Sequence, residues 1–281
     1  YTVEEDENGS EGWVEYRNYV LHGANVYDVV EIDYNGAKTL MFAVGAGGTL
    51  TPAKILTNKA TRSYLSPKFY LKDGTVYSMT SGDKGIYNFF ETSEGLFAFL
   101  LYENGSVKKI FKYNFTNNEH RFDEVRDVTV DSTSSADFRT YIQNDVDKNG
   151  AEVTDRRLWT GYMKSATYNG YAYITTGNLY KAKTFDDIIA ISVPNNAVVT
   201  DLLEKDGRLF ALGFVKTNEA TNEYTNYIWV VNASDRFTQI REFDTVGAYA
   251  LSFEKDAGYF YVGLRGPTTH ITTSVTNVGN I

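Results

Sequence analysis

The chain has 281 residues, a net charge of −9, no cysteine, and 22 Tyr and 17 Phe against only 4 Pro. Without cysteine, disulfides, thiolate catalysis, iron–sulfur clusters and Cys-ligated zinc are excluded, and the acidic balance argues against a nucleic-acid partner, whose phosphates need a basic surface. No apolar run approaches the ~20 residues that cross a bilayer as a helix, so no membrane insertion is expected; the ring-rich composition suits strands, whose pleated faces accommodate Tyr and Phe.

In chain order, Trp13–Val20 reads as a strand behind an acidic lead. Val26–Asp33 and Thr39–Val44 flank Tyr34-Asn35-Gly36, where Asn-Gly supplies the positive φ angles of a tight hairpin. Thr49–Leu65 reads as a long polar loop, and Phe69–Leu71 with Thr75–Met79 as a hairpin around Gly74. A meander follows, near Ile86–Thr92, Leu96–Tyr102 and Val107–Tyr113, and then Phe122–Val130 as an outer strand. Residues 131–155 are polar and irregular. Strand patterning resumes at Leu158–Thr167, turns at Asn169-Gly170, and continues through Tyr171–Thr176 and Ile188–Val193.

The strongest internal signal lies between Asp201 and Gly266. Glu204, Lys205, Asp206, Phe210 and Gly213 recur without gaps as Glu254, Lys255, Asp256, Phe260 and Gly263, an offset of about 50 residues, in the range of propeller and solenoid repeats. Matching turns near Gly36, Gly74, Gly170, Gly207 and Gly258 recur about every 44 residues, the length of a four-stranded blade. On this pattern the chain resembles β-propeller proteins in general over roughly its whole length. It shows no Trp-Asp repeat, kelch Gly-Gly pair or sialidase Asp box that would mark one family. The expectation is an all-β, single β-propeller domain over 1–281, built of four-stranded antiparallel blades. Six blades are favoured, with five or seven as the alternatives, and 13–20 is expected to close the last blade. Leu209–Leu212 and Tyr259–Val262 should be equivalent strands of adjacent blades.

Candidate chemistry is sparse. Asp145, Asp147 and Asn149 stand at positions 1, 3 and 5 before Gly150, as at the start of a calcium loop. Arg156 stands where an EF-hand has its closing Glu, leaving Asp155 as the substitute ligand; a solvated Asp/Asn/Gly turn is the alternative. His22, His120 and His270 are scattered. The acidic pairs Asp123/Glu124, Asp186/Asp187 and Glu204/Asp206 do not by themselves make a glycosidase, which needs two carboxylates at defined separation. Asn8, Asn104, Asn114 and Asn232 head Asn-x-Ser/Thr sequons, which matter only in a secreted eukaryotic protein.

The connections Gly47–Leu65, Gly177–Thr184, Phe214–Asn226 and Gly263–Thr269 are each placed after the second strand of a blade, and so on one face. Arg62 and Arg265 would offer planar donors there, Lys216 a cation, and Tyr64, Tyr180 and Tyr224 stacking surfaces. The expected function is a non-enzymatic binding or structural module, extracellular, on a cell surface or in a virion, that recognises a glycan or protein partner through that face. The alternatives are a carbohydrate-active hydrolase or lyase on the same fold, and an architectural subunit of a larger assembly such as a phage tail.

Overall fold

The computed structural model describes residues 2–5, 11–14, 25–45, 52–80, 82–102, 107–127, 164–175, 178–218, 223–246, 249–256, 259–265 and 271–277. The chain is all-β, and its four-stranded antiparallel blades follow one another in sequence. The first blade is β3 (Asn25–Tyr34), β4 (Ala37–Gly45), β5 (Ala53–Asn58) and β6 (Ser63–Leu65). The short β7 (Lys68–Tyr70) leads to the second blade, β8 (Asp83–Thr92), β9 (Gly95–Tyr102), β10 (Val107–Thr116) and β11 (Glu119–Asp127). The third is β12 (Lys164–Tyr168), β13 (Tyr171–Thr175), β14 (Leu179–Ala182) and β15 (Ile188–Ile191). The fourth is β16 (Val198–Lys205), β17 (Arg208–Asn218), β18 (Glu223–Val231) and β19 (Phe237–Val246). A three-stranded sheet ends the chain: β20 (Tyr249–Asp256), β21 (Tyr259–Arg265) and β22 (Ile271–Asn277).

Six blades are expected, with five or seven as alternatives; the described residues form these four four-stranded units and the three-stranded sheet, the first two units being joined at Gly45 and Gly85 into one larger sheet, beside a separate two-stranded ladder near the N-terminus. Their first strands, β3, β8, β12, β16 and β20, lie next to one another in order. The cores sit between sheets. Phe90, Phe97 and Phe99 of the second blade bury against Ala172, Ile174 and Tyr180 of the third, with Phe185 wedged among them, so no sheet intervenes. Tyr173, Leu179 and Ile191 of the third meet Val199, Leu209 and Trp229 of the fourth. Val262 of β21 joins Phe210, Leu212 and Ile228, which sets the repeated segments Leu209–Leu212 and Tyr259–Val262 in adjacent sheets as the repeat predicts. Fully burying rings of this size contributes about 2–3 kcal/mol each, and this stacking is the main source of stability.

The hairpin chemistry reads directly from sequence. Tyr34 pairs with Ala37, Tyr168 with Tyr171 and Lys205 with Arg208. The two residues left between them, Asn35-Gly36, Asn169-Gly170 and Asp206-Gly207, all have positive φ. That conformation matches the twist of the flanking strands. Asp33 Oδ1 and Glu204 Oε1 accept the N–H of Gly36 and Gly207, both at 2.9 Å, so the two copies close alike.

Several expectations shift. The hairpin around Gly74 forms as expected, with the Gly74 N–H on the Leu71 carbonyl at 2.9 Å, Tyr70 bridging Val76 antiparallel and the Tyr77 N–H on the Phe69 carbonyl at 2.7 Å, but it lies in the crossover to the second blade. The blade hairpin itself turns at Ser93-Glu94, before Gly95. Phe69 belongs to β7, which pairs parallel to β11. The stretch read as a polar loop contains β5 and β6, because Ala53, Ile55 and Leu56 are buried between its charged residues. Trp13 belongs to β2 (Glu11–Val14), which pairs with β1 (Thr2–Glu5), Trp13 opposite Val3. Residues 15–20, Gly258 and the calcium-loop residues Asp145, Asp147, Asn149 and Asp155 lie outside the described residues. Among the described residues, no helix is long and apolar enough to cross a membrane.

Candidate binding face

Antiparallel connection fixes which segments share an end. Every first-to-second and third-to-fourth strand turn emerges at one end, here the turn end: 35–36, 93–94, 169–170 and 206–207, with 59–62, 117–118, 183–187 and 232–236. The second strands end, and the third strands begin, at the other end, the loop end. The first strands β3, β8, β12, β16 and β20 also begin there.

The sequence-selected residues divide between these places. Lys216 of β17 and Tyr224 of β18 are register partners, next to the 219–222 connection. Arg265 ends β21 opposite Ile271 and Tyr249. These three share the loop end. Arg62 does not: it sits exposed in the β5–β6 turn, at the turn end, with φ of 54°. Tyr64 lies half-buried in β6, opposite Leu56 and edge-on to Phe42 at 6.1 Å. Tyr180 is 2% exposed and belongs to the core between the second and third blades. It was misread because β14 is a four-residue strand whose Leu179, Tyr180 and Ala182 all bury, too short a run to stand out beside Lys181 and Lys183. The strands β17 and β18 also run further than expected and absorb much of 214–226.

The loop end carries three aspartates on first strands. Asp28 sits just past a bulge between Val26 and Asp28. Its Oδ1 accepts the Val29 N–H at 2.8 Å and its Oδ2 the Phe89 N–H of β8 at 2.7 Å, so one carboxylate ties the first blade to the second. Burial pushes its pKa above the ordinary carboxylate value, against the two N–H donors and the charge of Lys164. Asp201 follows the equivalent bulge of β16, between Val199 and Asp201, and accepts the Leu202 N–H at 2.9 Å. The bulge recurs in β20 between Ala250 and Ser252. A bulge bends a strand and re-aims its side chain, here toward the neighbouring blade.

Asp83 opens β8. Lys108 Nζ donates to its Oδ1 at 2.7 Å, while the Tyr77 hydroxyl (2.6 Å), the Thr80 N–H (2.7 Å) and the Thr80 hydroxyl (3.0 Å) donate to its Oδ2. Burial alone would raise Asp83, yet the bonds from Lys108, Thr80 and Tyr77 and the lysine charge hold it below the ordinary value. Nearby, Lys109 bridges Glu124 at 3.2 Å and Asp127. Burial opposes its charge, and the two carboxylates raise it above the usual lysine value.

Of the three histidines, only His120 is among the described residues. It is buried at the turn end, stacked on Tyr34 at 4.8 Å and bonded through Nδ1 to the Tyr113 hydroxyl at 2.5 Å. Burial lowers His120, and burial with the charge of Asp33 pushes Tyr113 up to about 12. Among the described residues, no group of three or more His, Asp or Glu is arranged to hold a metal ion.

Sequence reasoning missed the Asp28–Phe89 tie. Its signal was present as Val26-Tyr-Asp28-Val-Val against Val199-Thr-Asp201-Leu-Leu, a second repeat at the start of the first strands.

No protein-family model matches the chain, and no curated protein matches it. Solved structures resemble it in fold. One is a glycosyl hydrolase from Bacteroides ovatus, 8% identical, covering 90% of this chain and 84% of that one with a TM-score of 0.40. Another is an α-L-arabinanase from Cellvibrio cellulosa complexed with arabinohexaose, 11% identical, covering 89% of this chain and 90% of that one with a TM-score of 0.35. Likenesses this remote say nothing of the chemistry of this chain.

Proposed function

We propose that the protein is a binding module that recognises a glycan through the loop end, without turnover. The observation that supports this is the state of the loop-end carboxylates. Both oxygens of Asp28 and both of Asp83 are engaged by protein donors, and Asp201 accepts a backbone N–H. A hydrolase needs one carboxylic acid able to give its proton to a leaving group and a second carboxylate facing the sugar. Carboxylates that knit blades together are poorly placed for either role.

The reading assigns binding to Lys216, Tyr224 and Arg265, whose backbone positions lie at the loop-end termini of their strands. A ring offers a face to a sugar, and a guanidinium or ammonium offers donors to hydroxyls or a uronic carboxylate. A glycan array probed with the wild-type chain and with the double variant Lys216→Ala/Tyr224→Ala tests the proposal. Loss of signal at unchanged melting temperature is the expected result; equal signal from both chains removes this face from consideration. Reducing sugar released by the purified chain, and abolished by Asp28→Asn, would establish the hydrolase reading instead.

A further inference from the structure

The outer edges of the blades are treated differently, and among the described residues that of the third blade is apolar and unpaired. The outermost strand of a sheet presents unpaired N–H and C=O groups that invite another strand. In the second blade this edge is covered from within the chain: β7 lies parallel to β11, with Lys68, Phe69 and Tyr70 opposite Arg121, Phe122 and Asp123. Phe69 is 3% exposed and stacks on Phe122 at 4.6 Å, while Lys68 reaches back to Glu119 at 2.8 Å. In the fourth blade the edge strand β19 carries exposed Gln239, Arg241 and Glu242, charges of the kind that discourage strand pairing.

The edge of the third blade has neither device. β15 reads Ile188-Ile-Ala-Ile191, and among the described residues no strand pairs with its outer side. Ile189 is 43% exposed and Ala190 is exposed beside it. β15 runs in the same direction as β11, since each is the fourth strand of its blade. Directly before it stand Asp186 and Asp187, both exposed.

We infer that the β15 edge is a docking site for an extended peptide of a partner protein, added as a parallel strand with a cationic residue followed by an apolar one. The register of β7 on β11 supplies the geometry. Lys68 lies opposite Arg121, and its ammonium meets the carboxylate two positions earlier, Glu119. Transferred to β15, the apolar residue of the peptide lies opposite Ile189 and covers it. The preceding cation lies opposite Ile188, with Asp186 two positions earlier and Asp187 adjacent. Main-chain bonds supply the affinity, and the charge pair sets direction and register. This site is on the rim of the third blade, separate from the loop end, and does not rest on the glycan proposal.

The probe is a labelled, end-blocked peptide of the chain's own segment Ser66-Pro-Lys-Phe-Tyr-Leu-Lys72, titrated into the full chain by fluorescence anisotropy. Saturable binding with a Kd of about 0.1–1 mM is expected for so short a strand. Asp186→Lys/Asp187→Lys should weaken it by about fivefold, the reach of an exposed ion pair, and a peptide with Glu in place of the residue-68 lysine should recover that loss on the variant. Hydrogen exchange at saturating peptide should slow at amides within 188–191. Three results would overturn the inference: protection confined to 119–127, which would mean exchange with β7; binding indifferent to both charge reversals; or a concentration-dependent dimer that buries 188–191 and excludes the peptide.

Discussion

At the turn end, Asn35-Gly36, Asn169-Gly170 and Asp206-Gly207 close hairpins with two residues each, and the side chains that steady them, Asp33 and Glu204, act within their own hairpin. At the loop end, the side chains act between elements. Asp28 reaches from β3 to β8, and Asp83 gathers Tyr77, Thr80 and Lys108 from the crossover and from β10. Both ends tie blades together, since at the turn end the Ser93 N–H donates to the Gly170 carbonyl at 3.0 Å and the Tyr173 hydroxyl to Asp235 at 2.9 Å; the difference lies in the hairpin turns themselves, which local turn chemistry closes. Where the chain must cross from blade to blade, buried carboxylates provide the fastening, and the connections outside them are free to vary.

The largest effect expected is from crowding the first hairpin of the fourth blade near the loop end. A Cβ at Gly213 would lie 2.5 Å from the Val198 carbonyl oxygen and 3.0 Å from the Trp229 ring. Gly213→Val should cost about 3 kcal/mol, read as a melting temperature lower by roughly 6–12 °C. Gly207→Ala, at a turn with φ of 73° but nothing within 4 Å of the added carbon, should cost only about 1 kcal/mol.

Next comes ring closure. The last sheet has three strands among the described residues, and closure by the N-terminal segment remains a proposal. Deleting residues 1–22 should lower the melting temperature by about 5 °C, the equivalent of roughly 2 kcal/mol. An unchanged melting curve would rule the N-terminal segment out as the closing strand.

Asp83→Asn should cost about 2 kcal/mol near neutral pH, because it removes charged hydrogen bonds from a buried site. The sign of the pH dependence follows from its depressed pKa. An unfolded-chain value near 3.8 means that the contribution is complete above that pH and is lost as pH falls through the lower folded value. Wild type and variant should therefore converge only in the acid range below about pH 4, and denaturant melts from pH 7 down to acid measure this. A gap that stays constant across the range would show that Asp83 is not ionised in the folded chain.

A smaller pair of substitutions contrasts the two ends directly. Asp28→Ala leaves the Val29 and Phe89 N–H groups without their acceptor and should cost about 1–2 kcal/mol. Asp33→Ala, at an exposed turn, should cost no more than about 0.5 kcal/mol. Equal costs would break the distinction between the ends.

Much of this architecture was legible in the residues. Asn-Gly and Asp-Gly turns identify themselves, because so few residues accept positive φ, and the Glu-Lys-Asp repeat correctly paired β17 with β21 across blades. What was not legible depended on depth. Tyr180 and Tyr64 have the composition of a binding surface and are held inside or half inside, since a strand of four residues shows no period long enough to separate its faces. Gly74 carries a genuine turn signal and closes the expected hairpin, Tyr70 against Val76, but nothing in the turn says that β7 also pairs on its other side with β11. The role of Asp28 could be seen only when the distance to Phe89 was known.

The central claim is that the loop end binds while the turn end does not. Hydrogen exchange of the full chain with and without a glycan selected on the array tests it most directly. The account predicts slowed exchange at the ends of β17, β18 and β21 near 216–224 and 265, with the turns at 35–36, 169–170 and 206–207 unchanged. Protection concentrated at those turns, with none near 216–224 or 265, would contradict it.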